Sequence, residues 1–480
     1  MSCVTASFDD NSFILAQNPE KPAYWLSVIV WQVMLPASQI AVFPALREDA
    51  MHIERLRLTD FRNYHELDLP LPRGLLVFRG RNAQGKSNLL EAISLIATSR
   101  SFRTNSEREA VRWGAPGHFA RVEAIVARRN DTLDVEVIVA DTGVEAPASA
   151  IAQATSGAIA SPPLPAVPFR KRIRVNGMPR RAMDLLGKVT VVVFAPTHLE
   201  LVTGSPSERR RFLDLTLCQV HAGYCRALGQ YQKVVTQRAA LLRRIKEGEE
   251  SPHALPFWDE QLAALAVPLI RGRARFIAHA EASAGRLYES LARDEGLPEA
   301  PLRLVYEPSY KGPLDVGDEE LVAAFRARLV ELRRREIAQG VNVLGPHRDD
   351  LAFYAGDINL TTYGSRGQQR TVALALKLAE LAYIEAETGD QPLLLLDDVL
   401  SELDARRRAD FLDSVSGLDQ VLLTITDATS LPETPRAHAY VYSVGGGHVT
   451  LEASPTDPAA TDAEMDERDE RDERDEPADG

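Results

Sequence analysis

Leu75-Leu76-Val77-Phe78-Arg79-Gly80-Arg81-Asn82-Ala83-Gln84-Gly85-Lys86-Ser87-Asn88 is the stretch on which the fold of this chain turns. An apolar run, Leu75 to Phe78, leads into Gly80 to Ser87, which fits G-x-x-x-x-G-K-[ST], and a helix-like run, Asn88 to Thr98, follows. Strand, glycine loop and helix in that order predict a phosphate-binding loop. Glycines let backbone N–H groups curl around an anion, and the helix N-terminus adds its partial positive charge. Gly80, Arg81, Asn82, Ala83, Gln84, Gly85, Lys86, Ser87 and Asn88 are therefore the expected contacts to ATP. Lys86 would reach the β- and γ-phosphates, and the Ser87 hydroxyl would ligate Mg²⁺.

A second half of the site is expected at Leu393-Leu394-Leu395-Leu396-Asp397-Asp398, the form of a buried parallel strand delivering carboxylates to a sheet edge. With Lys86 these acids make the catalytic set: Asp397 would hold Mg²⁺ together with Ser87, and Asp398 would orient or deprotonate the attacking water. Taken alone, the same residues also fit a core strand followed by a helix cap. Aspartate is one methylene shorter than the glutamate of many ATPases, so hydrolysis is expected to be slow. Upstream, Tyr363-Gly364-Ser365-Arg366-Gly367-Gln368-Gln369 opens a helical run from Arg370 to Glu387. A small polar loop at a helix N-terminus is an anion site, and equally a plain helix start with Ser365 as N-cap. Its order and its distance of about thirty residues from Asp397 match the signature loop and second acidic motif of ABC-type heads. In such heads Ser365, Arg366, Gly367 and Gln368 would cover the nucleotide of a second subunit. Ser401-Glu402-Leu403-Asp404 has the form of the accompanying D-loop.

Composition leaves these chemistries open. The 480 residues are 45% hydrophobic, and the net charge of -13 is uneven: residues 455–480 hold twelve Asp/Glu against three Arg. The rest of the chain is close to neutral, so charge excludes no partner. Three cysteines, Cys3, Cys218 and Cys225, give neither a disulfide framework nor a C-x-x-C metal spacing, which points to a reducing cytoplasm. Tyr24 to Pro36 is apolar but too short to span a bilayer, and no membrane anchor is read.

Strand patterns at Ala120–Val126, Leu133–Val139, Ile173–Val175 and 187–195 are followed by long helical patterns from Pro206 to Gln339, with Leu302–Tyr306 as the one convincing strand. Strands return at Leu393 and Val421. The expected fold is α/β: an ABC-type P-loop ATPase head over 51–205 and 341–453, split in sequence by an inserted helical arm domain over 206–340. Residues 1–50 read either as an N-terminal extension or as an artefact of an upstream start, with the domain expected to begin at Met51. Residues 142–168 read as a flexible insertion, and 454–480 as a disordered acidic tail.

At this level the chain resembles the RecF family of recombination mediators, in the SMC-type branch of ABC ATPases. The resemblance runs from Met51 to about Thr429. It rests on Asp60-Phe61-Arg62-Asn63-Tyr64, the loop Asn82 to Asn88, Gly204-Ser205-Pro206-Ser207-Glu208-Arg209-Arg210-Arg211-Phe212-Leu213-Asp214, Gly345-Pro346-His347-Arg348-Asp349-Asp350 and Ser365-Arg366-Gly367-Gln368-Gln369-Arg370. It implies an ATP-dependent homodimer that binds single-stranded and gapped double-stranded DNA. It also implies action with RecO and RecR to load RecA at gaps, in support of replication, DNA repair and the SOS response. Where many ABC heads place a switch histidine, this chain has Thr424-Ile425-Thr426-Asp427, so γ-phosphate sensing there would fall to a hydroxyl or carboxylate. Arg170 to Arg172, Arg209 to Arg211 and Arg333 to Arg335 are candidate DNA-phosphate contacts, and each equally fits a solvated face. His347 and Arg348 are read as having a structural or interdomain role.

Competing readings are weaker. A transporter subunit lacks a place for the helical insertion, and a single-strand binding module lacks stacking platforms at 6% aromatic residues. An SMC-like ATPase scaffold in another DNA transaction remains the alternative, though the insertion allows only a short arm.

Overall fold

Residues 50–104, 106–140, 171–292, 300–403, 405–415, 417–426 and 438–455 are described by the structure, a computed structural model. The extension, the 142–168 insertion, the tail from 456, Asp404 and Asp427 lie outside the described residues. The chain runs through β1 His52–Phe61, β2 Tyr64–Pro70, β3 Gly74–Arg79, α1 Lys86–Thr98, β4 Phe119–Ala127, β5 Thr132–Ala140, β6 Lys171–Val175, β7 Met178–Arg180 and β8 Val191–Phe194. It continues through α2 Pro206–Val220, α3 Ala222–Lys246, α4 Leu255–Ala292, β9 Leu302–Glu307, α5 Asp318–Gln339, β10 Asp350–Ala355 and β11 Ile358–Asn359. Last come α6 Arg366–Thr388, β12 Leu393–Asp397, α7 Ala405–Val415, β13 Gln420–Ile425, β14 Ala439–Gly445 and β15 His448–Ala453.

The near-continuous aliphatic runs pair in parallel. The central sheet has the order β15-β14-β3-β13-β12-β8, with only β15 antiparallel to its neighbour. Both faces are covered, which is why these strands read as unbroken apolar stretches. Leu393 and Leu395 belong to the core shared with α1, whereas Leu394 and Leu396 belong to a second core with α6 and α7. Helix α1, free of Gly, Pro and charge after Glu91, is buried along almost its whole length. It lies in the same core as the inner side chains of an antiparallel sheet of order β2-β1-β4-β5-β6-β7. That sheet alternates as half-buried strands must: β4 buries Val122, Ala124 and Val126 and leaves Arg121 and Glu123 partly open. Gln420 ties the two sheets together. Its Oε1 accepts from Ile53 N at 2.8 Å, and its Nε2 donates to Ile53 O at 2.9 Å and Pro72 O at 3.0 Å.

The 187–195 pattern is a strand only over Val191–Phe194. The Leu302–Tyr306 pattern is strand β9, which pairs with β10 in a small antiparallel sheet, Leu304 opposite Phe353. Helices α2 to α5 therefore share one core with β9, β10 and one face of α6, through Val372, Leu376, Ala379 and Tyr383. The opposite face of α6 sends Leu374, Leu381 and Ile384 into the core of the parallel sheet. Among the described residues no helix is long and apolar enough to cross a membrane.

A buried charge network closes the helical part. Arg238, fully buried, donates to Asp259 Oδ1 at 2.7 and 2.9 Å, to Glu336 Oε2 at 2.6 Å and to Asn342 Oδ1 at 2.6 Å. Removing one member of such a network strands the others without water or counter-charge. Arg238→Met is expected to cost about 3–5 kcal/mol, read as a lowered urea midpoint relative to the parental protein.

Candidate active site

The chain leaves β3 at Arg79 and turns at once into the phosphate loop. A Cβ at Gly80 would run into the carbonyl oxygen of Val444, so the β14–β15 hairpin packs backbone against backbone here. Gly85 has φ 117°, and a Cβ there would stand 2.6–2.8 Å from the side chains of Asn63 and Tyr64. Only glycine meets both demands. Between them Arg81, Asn82 and Ala83 are exposed at the mouth of the loop.

The loop is braced from two sides. Asn63 Nδ2 donates to Gln84 O at 2.8 Å, and the Tyr64 hydroxyl donates to Gly85 O at 3.0 Å. Asn88 Nδ2 in turn donates to Asn63 Oδ1 at 2.7 Å. From the other side Gly446 N donates to Gln84 Oε1 at 2.8 Å. Arg62 completes the brace through a two-pronged ion pair with Glu91 of α1, at 2.6 and 2.9 Å. The motif around Asn63 is visible in the sequence, but its reach to a loop twenty residues on is not.

Parallel pairing then delivers the acids. Asp397 stands opposite Thr424 in the β12–β13 register. Asp397 Oδ1 accepts from the Ser87 hydroxyl at 2.7 Å and from Thr424 Oγ1 at 2.9 Å. Lys86 Nζ donates to the loop's own carbonyls, Gly80 O at 2.5 Å and Arg81 O at 3.0 Å. Burial lowers the Lys86 pKa from its usual value, while the Asp398 and Asp397 carboxylates work to raise it. Asp398 ends the strand in the left-handed region at φ 52° and is half-buried, unlike buried Asp397. The donor set suits Mg²⁺: two hard oxygens 2.7 Å apart come close to the cis edge of an octahedron, roughly 2.9 Å for bonds of 2.0–2.1 Å. The glycine cradle with a lysine at its back suits a polyphosphate.

Ser365 caps α6. Its hydroxyl accepts from Gln368 N at 3.2 Å while Gln368 Oε1 accepts from Ser365 N at 2.8 Å, a capping box. Ser365 and Arg366 are exposed, Gly367 and Gln368 partly so, and Gln369 Nε2 donates to Leu360 O at 3.0 Å. These bonds run within the loop and its own neighbourhood, whereas Lys86, Ser87, Asp397 and Asp398 are gathered at one point.

The arginine clusters divide. Arg209 is buried, pairs with both carboxylate oxygens of Asp350 at 2.6 and 2.9 Å, and is spent on structure rather than open to DNA. Arg210 donates to Asp349 O and Arg211 to Ser101 O. Arg333 joins the Arg238 network through Asp259, while Arg334 and Arg335 are exposed. Lys171 Nζ donates to Ser99 O at 2.6 Å, and Arg170 lies outside the described residues. His347 and Arg348 are structural: His347 Nδ1 accepts from the Tyr231 hydroxyl at 2.7 Å, and Arg348 donates to Asn342 O. Thr424 is fully buried and committed to the acids, so of the switch-position segment only exposed Thr426, among the described residues, has an open hydroxyl.

A phosphate loop and a paired-acid strand on a parallel sheet, with a signature-type loop opening α6, define an ATPase head of the ABC type. Residues 55–153 match a family model described as an AAA domain. The chain is 42% identical to the DNA replication and repair protein RecF of Chloroflexus aurantiacus, over 83% of this chain and 99% of that protein. It is 37% identical to the protein of the same name from Halalkalibacterium halodurans, over 83% and 98%. A solved structure described as the recombination mediator protein RecF with ATP in the RecFOR pathway superposes with a TM-score of 0.71 at 29% identity, covering 84% of this chain and 98% of that one. The chain belongs to the RecF family.

Asn63→Ala removes the bond to Gln84 O and the partner of Asn88. At about 1 kcal/mol for such a bond, ATP affinity is expected to fall roughly five- to tenfold, measured by titration with a fluorescent ATP analogue. Unchanged affinity would mean that the loop keeps its shape without the brace.

Proposed function

We propose that this protein is a DNA-repair ATPase that binds Mg²⁺ and ATP at Lys86, Ser87 and Asp397, hydrolyses it slowly, and uses the cycle to form and release a homodimer on DNA. The observation that carries this reading is the meeting of Ser87 with Asp397, residues 310 apart in sequence, beside Lys86. Gly80 to Ser87 would cradle the phosphates, with Lys86 leaving its two carbonyl partners for the β- and γ-oxygens. Mg²⁺ would supply charge neutralisation of the phosphates, held by Ser87 and Asp397. Asp398, half-exposed at the strand end, would orient the attacking water.

Ser365, Arg366, Gly367 and Gln368 are proposed to cap the nucleotide of a second copy. Their exposure and their capped helix N-terminus favour a contact with an anion from outside the chain. Residues 51–205 and 341–453 would then act as the dimerising head, and 206–340 as its arm. DNA, single-stranded or gapped, is the proposed substrate surface partner, and RecR, RecO and RecA the protein partners, in line with the family's name and the solved relative's pathway. We place the protein in the cytoplasm on the same basis.

Lys86→Ala is expected to abolish ATP binding, since the phosphates lose a charge-assisted contact worth about 1.5–3 kcal/mol together with the only lysine of the loop. Normal ATP affinity in the folded variant, by calorimetry, would sink the site assignment. Ser365→Arg, in contrast, should leave monomers that bind ATP normally but fail to dimerise, with DNA retention falling in step because joined surfaces bind with avidity. Sedimentation with excess ATP decides it: a parental dimer fraction would refute the cross-subunit role.

A further inference from the structure

We infer that Thr424 is a positioning residue for ATP hydrolysis, its single hydroxyl assigning different tasks to the two adjacent aspartates. This inference rests on the reading of Asp397 and Asp398 given above. Thr424 Oγ1 donates to Asp397 Oδ1 at 2.9 Å and accepts from Asp398 N at 2.9 Å, and the side chain is fully buried. One group thus holds the side chain of one acid and the backbone of the next.

The backbone contact follows from the end of the strand. The β12–β13 ladder runs to Asp397 opposite Thr424 and no further, because Asp398 takes φ 52° and leaves the extended path. That turn removes the Asp398 N–H from the ladder, and a partly buried donor needs another partner. The threonine hydroxyl supplies it from the opposite register position. A hydroxyl both donates and accepts, so it can serve both acids at once. Valine has the same shape and can do neither.

The consequence is a division of labour. Asp397 is held toward Ser87 as a metal-ligand carboxylate. Asp398 is turned off the strand line, half-exposed and close enough to Lys86 for its carboxylate to oppose the lowering of the lysine pKa by burial. Without the hydroxyl the Asp397 carboxylate and the Asp398 backbone lose their shared anchor, while the phosphate loop keeps its braces at Asn63, Tyr64 and Gly446. Nucleotide binding without metal should therefore survive, and metal use and turnover should suffer.

The test compares Thr424→Val and Thr424→Ser in the full chain, with Lys86→Ala as a control. Thr424→Val is expected to bind ATP in EDTA with parental affinity, to need about tenfold more Mg²⁺ for half-maximal hydrolysis, and to lose about tenfold or more in kcat with little change in KM. Thr424→Ser should return both to within about twofold. Parental Mg²⁺ dependence and kcat in folded Thr424→Val would overturn the inference. So would an equal loss in the serine variant, which would point to the packing of the methyl group. If Thr424→Val does not fold, as judged by its urea transition, Thr424→Ala takes its place under the same outcomes. Lys86→Ala keeps the two readings apart. If it binds and hydrolyses ATP normally, the site itself is wrong, whereas a dead Lys86→Ala beside a parental Thr424→Val removes only the role of Thr424.

Discussion

One oxygen atom organises this molecule. Oδ1 of Asp397 accepts from Ser87 on α1 and from Thr424 on β13, so three segments far apart in the chain converge on it. The convergence depends on parallel register: β13 lies between β3 and β12, with Leu423 beside Val77 and Leu396. A shift of one residue along β12 would turn Asp397 toward the opposite core and bring Leu396 to the phosphate loop. Aliphatic packing on both faces resists that shift, because it would exchange two complete sets of buried side chains. The hydrophobic core thus sets where the polar chemistry stands.

Helix α6 carries this arrangement outward. Its N-terminus holds the signature-type loop, and its body is shared between two cores, Leu374 and Ile384 facing the parallel sheet and Val372, Leu376 and Tyr383 facing the helices of residues 206–339. Buried groups fasten it further: Lys377 pairs with Glu380, which accepts from Thr216 of α2 at 2.7 Å, and Lys377 also lies over the ring of Phe212. A displacement of the α6 N-terminus cannot be absorbed locally, since close-packed interiors move as units. It would tilt α2 and its neighbours.

Much of this was legible in the sequence. The phosphate loop and the apolar run before Asp397 each have a local cause that a reader can name. The parallel sheet followed from strands apolar on both faces. What stayed hidden depends on distant partners. Arg209 to Arg211 look like a basic patch, but Asp350, Asp349 and Ser101 claim them, and nothing near Arg209 in sequence announces Asp350. Asn63 and Tyr64 belong to a visible motif whose target appears only when β1 and β2 lie beside the loop. Thr424 looked like a sensor at a strand end, yet its hydroxyl is used up within the site. The pairing of β9 with β10 across α5 was likewise invisible, because a six-residue strand inside a helical stretch carries no sign of its mate.

The contact of Val444 O with Gly80 has a consequence for synthesis. The phosphate loop sits near the front of the chain, but its wall is the β14–β15 hairpin, more than 350 residues later. Asp397 and the β13 strand that flanks β3 also emerge late. At ribosomal rates of about 5–20 residues per second, β1 to β5 and α1 wait for tens of seconds beside an incomplete sheet, with the future seat of β13 and β14 uncovered. A chain interrupted anywhere between residues 88 and 438 would carry the full glycine-lysine motif and still lack the hairpin that shapes it. Possession of the motif and possession of the site are separated in time, which makes the finished ATP site a mark that translation has reached the end of the domain.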